Sequence, residues 1–226
     1  MTSWPGAGPV PAPAVVPYAH PCEAPALWKS LRGCVDAAFV VANVHDGPGA
    51  APDPVYLNVL PPLLRSGVRV VGYVDTGYGT VPPATVQAQV RVWRERYGVR
   101  GVFLDQTGPD AAHLGYLRLV TAAARAAGAD VVVLNPGVAT VRACLDLADH
   151  VCTFEGTWEV YRSLADPTDR AGDPRVTHLV HSVPDDAVPA VVATAARLGA
   201  GALAVGAQRG TSTWGRVLWP KALGSR

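Results

Sequence analysis

Two acidic residues, Asp105 and Glu155, each end a short apolar segment of the chain. The segments are GVFLD at 101–105 and VCTFE at 151–155, and their length and apolar content predict buried strands. In an α/β barrel the carboxyl ends of the parallel strands meet at one rim, so both carboxylates would emerge there. Hydrolysis of a glycosidic bond requires two such carboxylates, and we therefore predict Asp105 and Glu155 as catalytic residues.

Polar and aromatic side chains also follow the other predicted strands, at the same rim. Carbohydrates need amides and carboxylates for their hydroxyl groups, and aromatic rings for the faces of their sugar rings. The mixture therefore predicts a site for a polysaccharide or oligosaccharide. The candidates for its substrate-binding shell are Tyr18, Asn43, Tyr73, Asp75, Tyr78, Gln106, Asn135, Trp158 and His181.

Structural roles remain as alternatives for several of these residues. Asp105 and Glu155 could accept backbone N–H bonds as strand-end caps, although a buried acid is costly without a task. Asp75 could cap the turn at 75–79 through an Asx-type bond. A rim that binds phosphate through Arg209, after the last strand, is an alternative of unrelated chemistry.

The spacing of other reactive residues argues against further catalytic classes. His20, His45 and His181 follow different strands without the HxH or HExxH spacing of a metal site, so no metal is predicted. The chain has no GxSxG segment for acyl transfer and no GxGxxG after the first strand, so no cofactor is predicted. The four cysteines lack CxxC spacing, which favours buried thiols; bridges 22–34 and 144–152 are the alternative.

The elements that position these residues alternate along the chain. Apolar segments of strand length are each followed by a longer segment with helical spacing. This order predicts a (β/α)8 TIM-like barrel, with a doubly wound open sheet as the alternative. The predicted strands are 14–18, 38–44, 68–74, 101–105, 131–135, 150–154, 177–181 and 201–205. The predicted helices are 24–31, 54–66, 83–97, 110–127, 138–147, 158–164, 185–198 and a short last one at 214–223.

Composition narrows the class of protein. The 226 residues are 49% hydrophobic and 16% charged, which predicts one compact domain at 14–226 behind a Pro- and Gly-rich tail at 1–13. The chain has 19 Lys and Arg, 18 Asp and Glu and no basic stripe, so nucleic acid is not an expected partner. No apolar segment reaches the roughly 18 residues of a membrane span. The oligomeric state is left open.

The N-terminal residues bear on the compartment. They lack the basic and apolar regions of a secretory signal, which predicts a cytoplasmic protein. An extracellular protein is the alternative if this N-terminus is processed or incomplete.

Six phrases of the sequence, in order, carry a resemblance to a known family. They are VPY at 16–18, NVHDGPG at 43–49, GYVDTGYG at 72–79, GVFLD at 101–105, NPG at 135–137 and FEG at 154–156. Together they resemble the spherulation-specific family 4, or spherulin-4-like, proteins. The likeness runs from about residue 14 to His181 and weakens afterwards.

This resemblance implies a (β/α)8 barrel related to endo-α-1,4-N-acetylgalactosaminidases and galactosaminidases, which need no metal. The family pattern has an Asp-Glu pair after the fourth strand and a Glu after the sixth. Here these positions fall on Asp105, Gln106 and Glu155, so the middle acid is an amide that cannot transfer a proton. The family is also commonly secreted.

The combined hypothesis is an endo-acting glycoside hydrolase that uses Asp105 as nucleophile and Glu155 as acid and then base on galactosamine-type or related microbial polysaccharide. Retention predicts carboxyl groups about 5 to 5.5 Å apart, and inversion about 6.5 to 9.5 Å. The alternative is a non-catalytic carbohydrate-binding barrel, which Gln106 favours.

Overall fold

Eight apolar segments form the parallel strands. A parallel sheet is buried on both faces, so its strands need apolar side chains on both sides. The computed structural model describes residues 9–165, 172–209 and 212–219. Each strand pairs with the next one, and the first also pairs with the eighth, so the sheet closes and the predicted barrel is confirmed. The strands are β1 (Ala12–Val15), β2 (Phe39–Ala42), β3 (Val70–Asp75), β4 (Gly101–Asp105), β5 (Val131–Leu134), β6 (His150–Thr157), β7 (Val176–His181) and β8 (Ala202–Arg209).

Helices connect the strands, and local capping explains where the long ones begin and end. Pro54 begins the second helix after Asp53, whose side chain accepts from two backbone N–H groups of the first turn. Gly98, with φ 71°, ends the third helix in the left-handed region. The helices are α1 (Pro25–Ser30), α2 (Pro54–Arg65), α3 (Pro83–Tyr97), α4 (Leu114–Ala126), α5 (Arg142–Leu145), α6 (Trp158–Tyr161) and α7 (Val188–Arg197).

Two N-terminal boundaries differ from the sequence prediction. β1 begins at Ala12, inside the predicted tail, and ends at Val15 instead of residue 18. Pro17 has no N–H group for the sheet, so the strand ends before it and Tyr18 lies in the loop that follows. Residues 1–8 of the tail lie outside the described residues.

The predicted last helix at 214–223 is wrong over its described part. Residues Ser212–Trp219 form a ninth strand, β9, which runs antiparallel to β8. The segment STWGRVLW is rich in residues that favour strands and carries a glycine that weakens a helix. β8 pairs with β1 through Ala202 and Leu203 and with β9 from Val205 onwards, so β9 lines β8 beyond the end of β1. Residues 220–223 lie outside the described part.

The barrel interior is filled by side chains of alternate strand positions. Phe39, Val71, Phe103, Val133 and Leu179 are buried there in one cluster. A larger cluster packs the outer faces of the strands against the helices. Within the described ranges, no helix is long and apolar enough to span a membrane. The four cysteines are free thiols, of which only the one at 22 is exposed.

Candidate active site

Asp105 ends β4 and projects into the mouth of the barrel. Its strand alternates, so Phe103 fills the interior and Asp105 lies one layer above it. Two neighbouring strands supply donors. The Tyr73 hydroxyl from β3 donates to Asp105 Oδ2 at 2.7 Å, and the Asn135 amide from the end of β5 donates to Oδ1 at 2.7 Å. Both oxygens of this carboxylate are therefore held by hydrogen bonds.

Glu155 reaches the same mouth only because β6 contains a β-bulge. Cys152 pairs with Thr177 and Phe154 with His178, so Thr153 is an extra residue without a counterpart on β7. The extra residue reverses the alternation of side chains along β6. Cys152 and Glu155 consequently both face the interior, although three positions separate them, and Glu155 pairs with the interior residue Leu179.

The bulge is held by the loop that follows β5. The Gly137 N–H group donates to the Cys152 carbonyl at 3.1 Å, and the Glu155 N–H group donates to the Gly137 carbonyl at 2.8 Å. Gly137 has φ 68°, a conformation that favours glycine. The phrase Asn135-Pro136-Gly137 therefore does more than begin a turn, because it supplies one active-site amide and supports the bulge.

Asn135 links the two carboxylates through a single nitrogen. Its Nδ2 donates to Asp105 Oδ1 and to Glu155 Oε2, in each case at 2.7 Å. These two carboxylate oxygens are therefore separated by at most twice 2.7 Å. The Asn135 backbone is also fixed, since its N–H group donates to the Leu104 carbonyl and its carbonyl accepts from Thr107. The side chain is only 6% exposed.

Trp214, a residue that the sequence analysis missed, completes the surroundings of Glu155. Its indole Nε1 donates to Glu155 Oε1 at 3.3 Å, and its ring lies edge-on to His181 with ring centroids 5.9 Å apart. β9 brings this ring into the interior cluster of the barrel. The strand-favouring residues at 212–219 were a signal for a strand, but no local pattern indicates a partner 59 residues away.

Burial changes the acidity of Glu155, one of the two carboxyl groups. Desolvation raises the pKa of Glu155, and the negative charge of Asp105 raises it further, while the bonds from Asn135 and Trp214 lower it. Burial and the charge of Asp105 also raise the pKa of Tyr73, which keeps its hydroxyl protonated as a donor. The site therefore contains an acid that retains its proton to higher pH than usual beside a carboxylate that accepts two hydrogen bonds.

A cavity of about 100 Å³ lies over this pair. Asp105, Asn135, Glu155 and Trp214 form its polar side. The predicted residues Tyr18, Asn43 and Tyr73 also line it.

A second cavity, of about 220 Å³, shares Tyr18 and Asn43 with the first. Its other polar side chains are His20, Glu23, His45 and Asp46. The two cavities therefore adjoin at these two residues, and the two together are called the groove.

Gln106 and Asp75 lie beside the pair and contact each other. Gln106 Nε2 donates to Asp75 Oδ2 at 3.2 Å, and Asp75 Oδ1 accepts from the Gly77 N–H group at 2.7 Å. Asp75 therefore does cap its turn. Gln106 and Tyr78 both have φ 52°, which is strained for residues other than glycine, and the Tyr78 N–H group donates to the Gln106 carbonyl. Tyr78 is 60% exposed on the rim.

Trp158 and His181 were predicted for the substrate-binding shell but do not line the small cavity, and the side chain of Arg209 is not described. Trp158 packs against Tyr161 in the outer layer, with ring centroids 6.4 Å apart. His181 reaches the site only through Trp214, and burial lowers its pKa. The side chain of Arg209, and with it the alternative of a phosphate site, lies outside the described part of the structure. Among the described residues no three His, Cys, Asp or Glu side chains are placed to hold a metal ion.

Comparisons with known proteins agree with this architecture. The model of the family described as Spherulation-specific family 4 matches residues 14–217. Spherulin-4 of Physarum polycephalum is 28% identical over 136 residues, which are 58% of this chain and 41% of that protein, so the match spans less than half of the relative. The crystal structure of Aspergillus clavatus Sph3 in complex with GalNAc superposes with a TM-score of 0.72 at 26% identity, over 89% of this chain and 91% of that one.

Proposed function

Since the chain belongs to the spherulation-specific family 4, we propose that it is an endo-acting glycoside hydrolase that cuts a galactosamine-type or related microbial polysaccharide. The observation that carries the proposal is the amide of Asn135, which donates to Asp105 and to Glu155 at 2.7 Å each. The oxygens that it joins lie closer than the roughly 6.5 Å minimum of inverting pairs, which supports a retaining mechanism.

In this mechanism Asp105 attacks the anomeric carbon and forms a glycosyl-enzyme intermediate. Its two oxygens accept from Tyr73 and Asn135, and these bonds orient the carboxylate toward the sugar. Glu155 first donates its proton to the departing glycosidic oxygen. As a carboxylate it then accepts a proton from the water that attacks the intermediate, which restores both groups.

The environment of Glu155 suits the acid role. A general acid must still hold its proton at the working pH, and burial raises the pKa of this carboxyl. Asp105 receives hydrogen bonds on both oxygens, which orient it for the role of the nucleophile. The two carboxyls thus have different surroundings and different roles.

The groove supports a sugar polymer as substrate. The similarity to Sph3, which was solved with GalNAc, supports a sugar of the galactosamine type in the small cavity. The adjoining cavity gives room for a neighbouring unit, because Tyr18 and Asn43 line both spaces. Tyr18 and Tyr78 are 52% and 60% exposed, so their rings are available for stacking on sugar faces.

A non-catalytic carbohydrate-binding barrel is the second candidate, and Gln106 favours it. Where the family pattern has an acid, this chain has an amide that donates to Asp75 and cannot transfer a proton. The proposed mechanism does not use the side chain at 106, because Asp105 and Glu155 supply both required carboxyls.

The deciding experiment measures reducing ends released from α-1,4-linked galactosamine and N-acetylgalactosamine polymers. We expect cleavage by the wild-type protein and a loss of about 10² to 10⁴ in rate for Asp105→Asn and Glu155→Gln. Glu159→Gln, which changes an exposed carboxylate on α6, is the matched control and should cleave normally. The anomeric configuration of the first product, followed by NMR, should be retained.

Polymer binding without cleavage would contradict the hydrolase and support the binding barrel. Gln106→Glu is then the next variant, because it restores the missing acid. If the protein neither cleaves nor binds the two polymers, both candidates are excluded for these substrates.

A further inference from the structure

The two oxygens of Glu155 have different hydrogen-bond donors. Oε2 accepts from Asn135 Nδ2 at 2.7 Å, whereas Oε1 accepts from Trp214 Nε1 at 3.3 Å. Both donors have fixed identity, because an indole nitrogen can only donate and an amide nitrogen has no acceptor to offer. The carboxyl is therefore held asymmetrically, with one short and one long bond.

The orientation of the Asn135 amide is fixed by its two partners. Each of its two N–H hydrogens points to a carboxylate, one on Asp105 and one on Glu155. Rotation by 180° would place Oδ1 between two carboxylate groups, where oxygen would face oxygen. Oδ1 is instead buried and accepts no hydrogen bond from any group in the described part of the chain. Asn135 therefore remains a donor toward both carboxyls.

Protonation of Glu155 must leave one of its oxygens a carbonyl and make the other a hydroxyl. A carbonyl oxygen is the better acceptor, so it belongs where the stronger and shorter bond is made. The hydroxyl then falls on the oxygen that has the weaker bond to lose. That oxygen is Oε1, which faces Trp214.

We propose that Asn135 and Trp214 are positioning residues that determine which oxygen of Glu155 carries the proton, and that this oxygen is Oε1. The position of the proton is inferred from the two hydrogen bonds to Glu155 alone. Its role in catalysis rests on the proposed function. In that function Oε1 is the atom that protonates the departing glycosidic oxygen. Trp214 thereby connects β9 to the reaction.

Other ionisable groups around Glu155 do not compete for this proton position. Asp105 on β4 accepts from the same Asn135 nitrogen that donates to Oε2 of Glu155, and not from the donor to Oε1. Cys152 on β6 stays protonated, because burial and the two carboxylates raise the pKa of its thiol. His181 on β7 contacts the Trp214 ring, and Tyr73 on β3 donates to Asp105.

Infrared difference spectroscopy tests the proposal without reference to activity. The carbonyl stretch of protonated Glu155 is assigned at acid pH as the band that disappears in Glu155→Gln. If the carbonyl oxygen is Oε2, Asn135→Ala removes its hydrogen bond and the band moves to higher frequency. Trp214→Phe should leave the frequency in place, because the lost N–H group faces Oε1 and the bond from Asn135 to the carbonyl oxygen Oε2 remains. Trp28→Phe, which removes an indole bond to the Ala19 carbonyl, is the control for a general effect.

The opposite pattern, a shift in Trp214→Phe and none in Asn135→Ala, would place the proton on Oε2 and overturn the proposal. Equal shifts in both variants, or none in either, would also overturn it. If Asn135→Ala does not fold, an upward shift in Trp214→Phe still contradicts the proposal, and an unchanged band supports it.

Activity is scored separately. In the proposed function Trp214→Phe should lower kcat about tenfold with little change in KM, since it disturbs a group that acts at the transition state. The expected band pattern without polymer cleavage would keep the proton placement and reject the hydrolase. Cleavage with the opposite band pattern would reject only the placement.

Discussion

The side chains of Gln106 and Asp75 meet at the mouth of the barrel, where Gln106 Nε2 donates to Asp75 Oδ2 at 3.2 Å. The Gln106 amide can approach the Asp75 carboxylate this closely because it donates an N–H group. A glutamate at 106 could make the same approach only if one of the two carboxyl groups were protonated. Gln106 adopts φ 52° and its carbonyl accepts from Thr76 and Tyr78, so its backbone position is determined by the neighbouring loop. An amide in place of an acid at this position has physical consequences that can be measured with the variant Gln106→Glu.

The first prediction concerns Gln106→Glu. Two carboxyls at this spacing cannot both be ionised without cost, so the variant should lose about 1 to 2 kcal/mol of unfolding free energy at pH 8. At pH 4, where one carboxyl binds a proton, the loss should largely vanish. Urea unfolding at both pH values measures it. Gln87→Glu, whose amide donates to a backbone carbonyl, is the control. A loss of equal size at both pH values would contradict the explanation.

The second prediction concerns Tyr73→Phe. The change removes the hydroxyl that donates to Asp105 Oδ2 at 2.7 Å and leaves the ring in place. In the proposed hydrolase we expect kcat to fall by about 10- to 100-fold, because the nucleophile loses one of two orienting bonds. Steady-state kinetics on the polymer provides the measurement. Tyr116→Phe removes a hydroxyl bond to the Val81 carbonyl and should leave kcat nearly unchanged. Equal effects of the two changes would indicate a loss of stability instead.

The third prediction concerns the pH dependence of stability at Glu155. Burial raises its pKa in the folded protein, so the folded state binds more protons than the unfolded state between the ordinary and the raised pKa. The contribution of Glu155 to the unfolding free energy should therefore fall as the pH rises through this window, by up to about 1.4 kcal/mol per pH unit.

Glu155→Gln removes this titration and should be more stable than the wild-type protein above the window. Thermal or urea unfolding between pH 4 and pH 8, expressed as the difference between the two proteins, gives the result. The exposed Glu159→Gln should show no such trend. A difference that does not vary with pH would mean that Glu155 titrates normally.

The fourth prediction concerns the contact between β3 and α3. A Cβ atom at Gly72 would lie 2.4 Å from the buried Trp93 ring, so Gly72→Ala must move helix and strand apart. We expect a loss of about 2 to 3 kcal/mol. Gly115→Ala has open space around the new methyl group and lies in α4, so it should stabilise by about 0.5 to 1 kcal/mol. Urea unfolding compares both variants, and a neutral Gly72→Ala would show that α3 can shift freely.

Much of the barrel could be predicted because its signals are local. The bounds of α3 follow from Pro83 at its start and Gly98 after its end, and both agree with the structure. The strand β4 likewise agrees at both ends, because its apolar run stops at Asp105. Asp105 and Glu155, the residues chosen from the sequence as a pair, face one cavity.

The parts that escaped prediction depend on contacts between distant segments. β9 is a strand because β8 offers it a free edge beyond β1, and no short window of sequence contains that information. The same holds for Trp214, whose partner Glu155 lies 59 residues earlier in the chain. The shared donor role of Asn135 follows from the closing of the barrel around β4, β5 and β6, which sets the distance between three strand ends.

The extra residue of β6 makes the site depend on the number of residues and not on their kind. Many side chains at position 153 would leave the reversal of the strand intact, because it is the additional backbone unit that turns Glu155 inward. If β6 kept all its residues but lost the bulge, regular alternation would turn the Glu155 carboxyl toward the helices, while Cys152 still faced the interior. A relative that lacks one position between Cys152 and Glu155 would need no bulge, because two residues that are two positions apart on a regular strand face the same side.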